Sequence, residues 1–238
     1  MVTTNLSRHS DLGHEVSLAV EKTTLKGSLA IPPGARQIVL FAHGSGSSRH
    51  SPRNRFVAET LQARGIATLL FDLLTPGEEA VDDVTAELRF NIPFLAERLM
   101  GATRWVTAFP PTKDMKVGLF GASTGAAAAL VAAAQLPGVI AAVVSRGGRP
   151  DLAHHALADV KAPTLLIVGG EDEPVIGMNG CALDKLGCAE KKMMIISGAT
   201  HLFEEPGALE EVARLAADWF ASHLAADQPL RTAARSAR

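Results

Sequence analysis

Short apolar runs, closed by glycine, proline or small polar residues, alternate along this chain with longer stretches of helical periodicity. Residues 16–20 and 25–31 alternate apolar with other side chains. Joined through Lys22-Thr23-Thr24, they predict an antiparallel hairpin at a sheet edge, and Pro32-Pro33-Gly34 ends it. Beyond it, apolar runs predict strands at 38–42, 66–71, 117–121, 139–145, 163–169 and 192–197. Helical stretches fall near 54–64, 83–108, 124–135, 175–187 and 207–224. Pro93 interrupts the longest of these and Asn91 suits a cap, so 83–108 is expected as two helical pieces. Such alternation implies an α/β architecture, a mainly parallel sheet with helices on both faces. A single domain is expected over 14–225. Residues 1–13 read as a polar lead-in, and 226–238, with Arg231, Arg235 and Arg238 but little apolar content, as a frayed tail.

At 238 residues, 47% apolar and 20% charged, the chain has material for one sizeable core. A net charge of −2 offers no electrostatic pull toward nucleic acid or an anionic membrane. No apolar run approaches the ~20 residues that span a bilayer. The polar start lacks the apolar segment of a signal peptide, which leaves the Asn5-Leu6-Ser7 sequon without a use. Cys181 and Cys188 are expected to share a helix face, too far apart along it to bridge, as free thiols of a reducing cytoplasm. Two cysteines alone make no zinc site, and no metal or cofactor is expected.

Candidate chemistry concentrates at Gly121-Ala122-Ser123-Thr124-Gly125, between the apolar run 117–120 and the Ala-rich stretch 126–131. G-x-S-x-G at a strand-to-helix turn is the setting of a nucleophile elbow. The turn strains the serine backbone and lifts Oγ above the sheet, while the glycines clear the space where helix and strand approach. A hydroxyl alone is a weak nucleophile and needs a base, and a group to orient that base. The run 163–170 ends in Glu171-Asp172-Glu173-Pro174, and the run 193–196 in Ser197-Gly198-Ala199-Thr200-His201-Leu202-Phe203. Both fall just past the carboxyl ends of expected strands, where open parallel sheets build their sites. Asp172 is the expected orienting acid, with Glu171 or Glu173 as alternatives, and His201 is the expected base. The other histidines fit less well: His9 and His14 lie in the lead-in, His154 and His155 in a polar connection, and His223 on the surface of the last helix.

An oxyanion needs two preorganised N–H donors. Thr124 is expected to supply one by its backbone. The loop His43-Gly44-Ser45-Gly46-Ser47-Ser48, after strand 38–42, supplies the other through Ser45 or Gly46. His43 reads as a brace for this loop. With neither G-x-x-x-x-G-K-[ST] nor G-x-G-x-x-G present, the loop does not read as a nucleotide site. Arg146, at the carboxyl edge of strand 139–145, has two readings: a bidentate partner for a substrate carboxylate, or a structural ion pair, for instance with Asp151. Arg49, Arg53 and Arg55 read as solvated surface charges.

With strands, elbow, acid and histidine in this order, the chain resembles the α/β-hydrolase superfamily, and within it the lidless dienelactone-hydrolase-like group, over about 14–225. The motifs His43-Gly44-Ser45-Gly46-Ser47-Ser48, Gly121-Ala122-Ser123-Thr124-Gly125 and Gly198-Ala199-Thr200-His201-Leu202-Phe203 carry the resemblance. It implies the α/β-hydrolase fold. Residues 146–163 leave room only for a loop and a brief helix at 151–157, so no lid domain is expected and the site should be open. The dienelactone hydrolases that give the group its name carry cysteine where this chain has Ser123. General hydrolysis of small esters or lactones is therefore expected rather than activity on dienelactone. The resemblance implies a cytoplasmic, cofactor-free serine hydrolase with Ser123, His201 and Asp172 as its triad, and no nucleic-acid or membrane partner. An acyltransferase or perhydrolase would share the same triad, and a non-catalytic binding module the same pocket. The stretch Ser145-Arg146-Gly147-Gly148-Arg149-Pro150-Asp151 is also similar to members sometimes fused to phosphoribosyltransferase domains. Val81-Asp82-Asp83-Val84-Thr85 echoes the paired acids of a phosphoribosyl-pyrophosphate loop. No strand precedes it and no Thr-Gly follows, so these acids are expected at a helix start, near its positive end.

Overall fold

Alternate side chains of the central strands enter two separate cores, and this parity arranges the molecule. In β3 (Gln37–Ala42), Ile38, Leu40 and Ala42 join one core while Val39 and Phe41 join the other. The computed structural model describes residues 13–225. The rest of the expected lead-in, with His9 and Asn5, and the expected tail at 226–238 lie outside the described residues. Among the described residues the strands are β1 (His14–Val20), β2 (Thr23–Ala30), β3, β4 (Ala67–Phe71), β5 (Lys116–Ala122), β6 (Ile140–Arg146), β7 (Thr164–Gly169) and β8 (Lys191–Ile196). They form a single sheet in the order β1-β2-β4-β3-β5-β6-β7-β8. β1 pairs antiparallel with β2 and β2 with β4, which is the expected edge hairpin, and the remaining pairs are parallel.

The helices are α1 (Pro52–Ala63), α2 (Pro76–Thr85), α3 (Ile92–Ala108), α4 (Thr124–Gln135), α5 (Glu173–Lys185) and α6 (Ala208–His223). α1 and α6 cover one face: Val57, Ala58 and Leu61 pack there with Val212, Ala216 and Phe220. α3, α4 and α5 cover the other through Leu95, Leu99, Ala127, Leu130 and Ala182. Between β6 and β7 the chain forms only a 3-10 segment, Pro150–Asp159, so the expected brief helix is present and no lid domain is inserted.

Several elements depart from the sequence expectation. The stretch 83–108 does divide, with Asn91 accepting from the Phe94 N–H and Pro93 in the first turn of α3. But α2 starts at Pro76, where Thr75 and Glu78 form a reciprocal capping box. Asp82 and Asp83 therefore stand near the end of α2, not at a helix start. α5 ends at Lys185, so Cys188 lies beyond it and shares no helix face with Cys181; both thiols are free. His223 is largely covered, its ring 4.2 Å from that of Trp219 and its Nε2 3.4 Å from Glu190.

His43 braces the carboxyl ends of β3 and β4. Its Nε2 accepts from the Leu73 N–H at 3.0 Å, which requires the proton on Nδ1, 3.0 Å from the Gly44 carbonyl. The ring is 8% exposed. Burial pushes its pKa below the ordinary 6.5, and the Gly44 carbonyl, Asp72 and Glu79 oppose that only in part. The unfolded chain therefore takes up a proton at a higher pH than the folded one, and stability falls as pH drops below about 6.5. His43→Gln keeps an acceptor but cannot titrate. Urea unfolding at pH 7 and pH 5 should show a smaller loss for this variant than for the wild type.

Two helical glycines should respond to alanine with opposite signs. At Gly101 in α3 a Cβ would lie 2.2 Å from Val20 Cγ1, so Gly101→Ala should cost about 1–3 kcal/mol. At exposed Gly177 in α5 a Cβ would meet nothing within 4 Å, and Gly177→Ala should stabilise by about 0.5–1 kcal/mol. Denaturant midpoints of the two variants check both signs.

Candidate active site

Backbone contacts at the elbow leave no room for side chains. A Cβ on Gly121 would sit 2.4 Å from Ala126 Cα, and one on Gly125 would sit 2.2 Å from the Ala42 carbonyl oxygen and 2.5 Å from that of His43. Between them Ser123 adopts φ 51°, ψ −121°, a left-handed conformation that costs a non-glycine residue about 1–3 kcal/mol. Its N–H donates to the Arg146 carbonyl at 3.2 Å. Its own carbonyl accepts from Ala126 and Arg149, each at 3.1 Å. Ser123 is the N-cap residue of α4, yet its side chain makes no capping bond and stays half-buried at the helix's positive end. Thr124 follows as the first helical residue, where N–H groups have no partner within the helix.

The glycine-rich loop after β3 lies directly against the elbow. A Cβ on Gly44 would touch Ser123 Cβ at 3.0 Å. Ser45 Oγ and Thr124 Oγ1 are 3.0 Å apart, and Gly46 turns at φ 63°. The Ser47 N–H is engaged by the Gly44 carbonyl at 3.2 Å. This loop and Thr124 line a cleft that also takes in Asp72, Glu79, Asp82, Asp83 and Arg89. Arg89 grips Asp82 through Nε at 2.6 Å, and the Leu88 and Arg89 N–H groups donate to the same carboxylate. Burial raises the Asp82 pKa, but these hydrogen bonds outweigh it and hold the carboxyl below its ordinary range.

The loops after β7 and β8 are laced together by their backbones. The Gly170 N–H donates to Ile196 at 2.8 Å and the Glu171 N–H to Ala199 at 3.0 Å. A Cβ on Gly169 would fall 2.4 Å from the Ala199 carbonyl oxygen, so only glycine permits the approach. This brings Asp172, the N-cap residue of α5, to His201, with Oδ2 2.6 Å from Nδ1. The Asp172 side chain is 13% exposed and that of His201 39%. Glu171 and Glu173 flank the pair and are exposed. The His201 turn is pinned by Phe203, buried at φ 56°, and by Glu205, which accepts from the Thr200 hydroxyl at 2.6 Å and its N–H at 3.1 Å.

Ser123 and His201 meet the same short turn, 146–149. Ser123 exchanges backbone hydrogen bonds with Arg146 and Arg149, and a Cβ on Gly147 would lie 3.6 Å from His201 Cε1. Among the described residues no hydrogen bond joins the Ser123 hydroxyl to His201. Gly147, Gly169 and Glu205 were missed by sequence reasoning. The two glycines carried a signal, each standing at the carboxyl end of an apolar run; Glu205 carried none.

Arg146 is the last residue of β6 and is 7% exposed. The ion pair with Asp151 does not form, because Arg149 holds that carboxylate through two bonds of 2.9 and 2.8 Å. Two of the arginines read as solvated are structural instead. Arg49 joins Asp72 and reaches Glu15 at 3.2 Å, and Arg53 pairs with Glu204 at 3.1 Å. Among the described residues no group of three or more His, Cys, Asp or Glu side chains could hold a metal ion, and no helix is long and apolar enough to cross a membrane.

Comparison with known proteins places this geometry. The family model described as the dienelactone hydrolase family matches residues 28–225. A crystal structure of dienelactone hydrolase from Anabaena variabilis is similar at 62% identity and a TM-score of 0.87, covering 89% of this chain and 98% of that one. Est1E from Butyrivibrio proteoclasticus shares the fold at 15% identity and a TM-score of 0.74, over 89% of this chain and 99% of its own. A Mycobacterium tuberculosis protein with the provisional name of a phosphoribosyl transferase is 53% identical over 90% of this chain and 47% of its own length. The chain thus spans about half the length of that curated relative. The fold is that of an α/β hydrolase, with the edge hairpin and mainly parallel sheet expected of it, and the chain belongs to the dienelactone hydrolase family.

Proposed function

We propose that this member of the hydrolase family is a serine hydrolase that cleaves small carboxylic esters or lactones through an acyl-enzyme. The observation that carries the reading is the 2.6 Å pair of Asp172 and His201 above a strained, half-buried serine at a strand-to-helix elbow. His201 takes the proton of Ser123 as Oγ attacks the substrate carbonyl. Asp172 holds the imidazole through its Nδ1–H and stabilises the imidazolium. The oxyanion lies against the Thr124 N–H and that of Ser45 or Gly46, and His201 returns the proton to the leaving alkoxide. A water then repeats the sequence and releases the acid. The contact between Ser123 and His201 closes when substrate binds, as catalytic hydrogen bonds in empty sites often do.

An open site without a lid supports small substrates. The unbridged thiols support a cytoplasmic location, and the near-neutral charge supports neither nucleic acid nor membrane as a partner. An acyltransferase or perhydrolase would use the same groups, and product analysis with a competing alcohol or peroxide separates them. Nothing in the described residues favours phosphoribosyl transfer: both oxygens of Asp82 are engaged by Leu88 and Arg89.

Ser123→Ala should abolish both p-nitrophenyl ester turnover and labelling by an organofluorophosphonate. Full labelling of that variant would move the nucleophile elsewhere, and a wild type that no such probe labels would point to a non-catalytic binding module. Asp172→Asn should keep the fold and lower kcat by up to about 10⁴-fold, since the imidazole loses the partner that fixes its tautomer. Steady-state kinetics with circular dichroism as a folding control checks both parts.

A further inference from the structure

A buried polar side chain costs free energy unless its hydrogen-bonding capacity is met, so an amide within the apolar stripe of a helix calls for a reason. The buried residues of α5 are Val175, Asn179 and Ala182, spaced as one helical face, and Asn179 is 0% exposed. An aliphatic residue would suit the middle of that stripe, and the helix, better. The Asn179 amide nitrogen donates to the Val175 carbonyl of its own helix at 2.8 Å and to the Gly148 carbonyl at 3.0 Å. Its Oδ1 is sealed from solvent without a partner. The Gly148 bond is the one that leaves α5, and it is made at the cost of an unsatisfied buried acceptor.

That bond falls on one particular peptide. The Gly148 carbonyl and the Arg149 N–H belong to the same planar trans unit and point in opposite directions. On one side Asn179 holds the carbonyl, and on the other the N–H donates to the Ser123 carbonyl at 3.1 Å. The peptide is thus a strut from α5 to the elbow. The turn around it has little stiffness of its own, because Gly147 and Gly148 adjoin and Gly147 stands at φ 49°. Position 148 has no room for a side chain: a Cβ there would lie 2.0 Å from Ser145 Oγ and 2.6 Å from Ala126 Cβ. Packing that requires glycine leaves the peptide free to rotate unless another group holds it. α5 also carries Asp172 at its N-cap, so one helix sets the acid and, through Gly148, the backbone of Ser123.

We propose that Asn179 is a positioning residue of the hydrolase site: by holding the Gly148–Arg149 peptide it keeps Ser123 in its left-handed conformation, with Oγ aimed at the bound carbonyl. The proposal rests on the serine-hydrolase reading and adds to it a residue that acts only through the backbone. A strained residue persists while its surroundings over-determine it, and the bond from Arg149 is one of those that do so for Ser123.

The test replaces Asn179 by leucine, which fills the site without a donor, and by alanine, which cannot overpack it. Both variants should lower kcat on p-nitrophenyl acetate by about ten- to a hundred-fold and leave KM within about two-fold, since the fault lies in the aim of Oγ. Labelling by an organofluorophosphonate should slow by the same factor. The pH midpoint of kcat/KM should not move, because Asp172 and His201 stay paired. Hydrogen exchange should show the Arg149 amide losing about ten-fold or more in protection, while the Gly170 and Glu171 amides of the acid loop keep theirs. Should Asn179→Leu fail to fold, Asn179→Ala carries the same readings. An unchanged kcat, a loss of kcat with a shifted pH midpoint (which would mean that α5 and Asp172 have moved), or an Arg149 amide as protected as before would each overturn the proposal. If the wild type turns over no ester, the hydrolase reading fails instead, and exchange at Arg149 still decides whether Asn179 holds the strut.

Discussion

Close backbone approach at the elbow is the constraint on which the rest of the site depends. Gly125 presses the start of α4 against the Ala42 and His43 carbonyls, and Gly121 lets the end of β5 pass under Ala126. These contacts tie α4 to two adjacent strands, so its position cannot drift without breaking the core that Ala127, Ala128 and Leu130 fill. A left-handed serine persists only where its surroundings over-determine it. Here the Arg146 and Arg149 hydrogen bonds on one side and Gly44 on the other do so. The same approach sets the loop after β3 beside Thr124, so Ser123 and the glycine-rich loop are positioned by one packing arrangement.

The second half of the site repeats the device without strain at the functional residue. Gly169 lets the loop after β7 lie against Ala199 and Thr200, and backbone hydrogen bonds do the joining. Asp172 and His201, far apart in sequence, thus meet on rigid strand ends. Ion pairs add outer ties: Arg49 to Asp72 holds the glycine-rich loop to β4, and Arg53 to Glu204 holds α1 to the His201 loop. A half-exposed pair such as Arg53–Glu204 contributes about 1 kcal/mol or less, so it selects a loop position more than it stabilises the fold.

Much of this was legible in the sequence because its signals were local. The elbow glycines, the apolar runs, and Asn91 before Pro93 each act within a few residues. The acid and the histidine stood at strand ends, which narrowed the acid to Glu171, Asp172 or Glu173; only the three-dimensional lacing of two loops singles out Asp172 for contact with His201. The start of α2 was overlooked although Thr75 and Glu78 spell a capping box, since a surface helix with only Asp82 buried has no apolar stripe to announce it. Long-range partners left no trace. Nothing near Arg53 points to Glu204, and Asp151 looked free for Arg146 because its preference for Arg149, two residues away, depends on how the 3-10 segment turns.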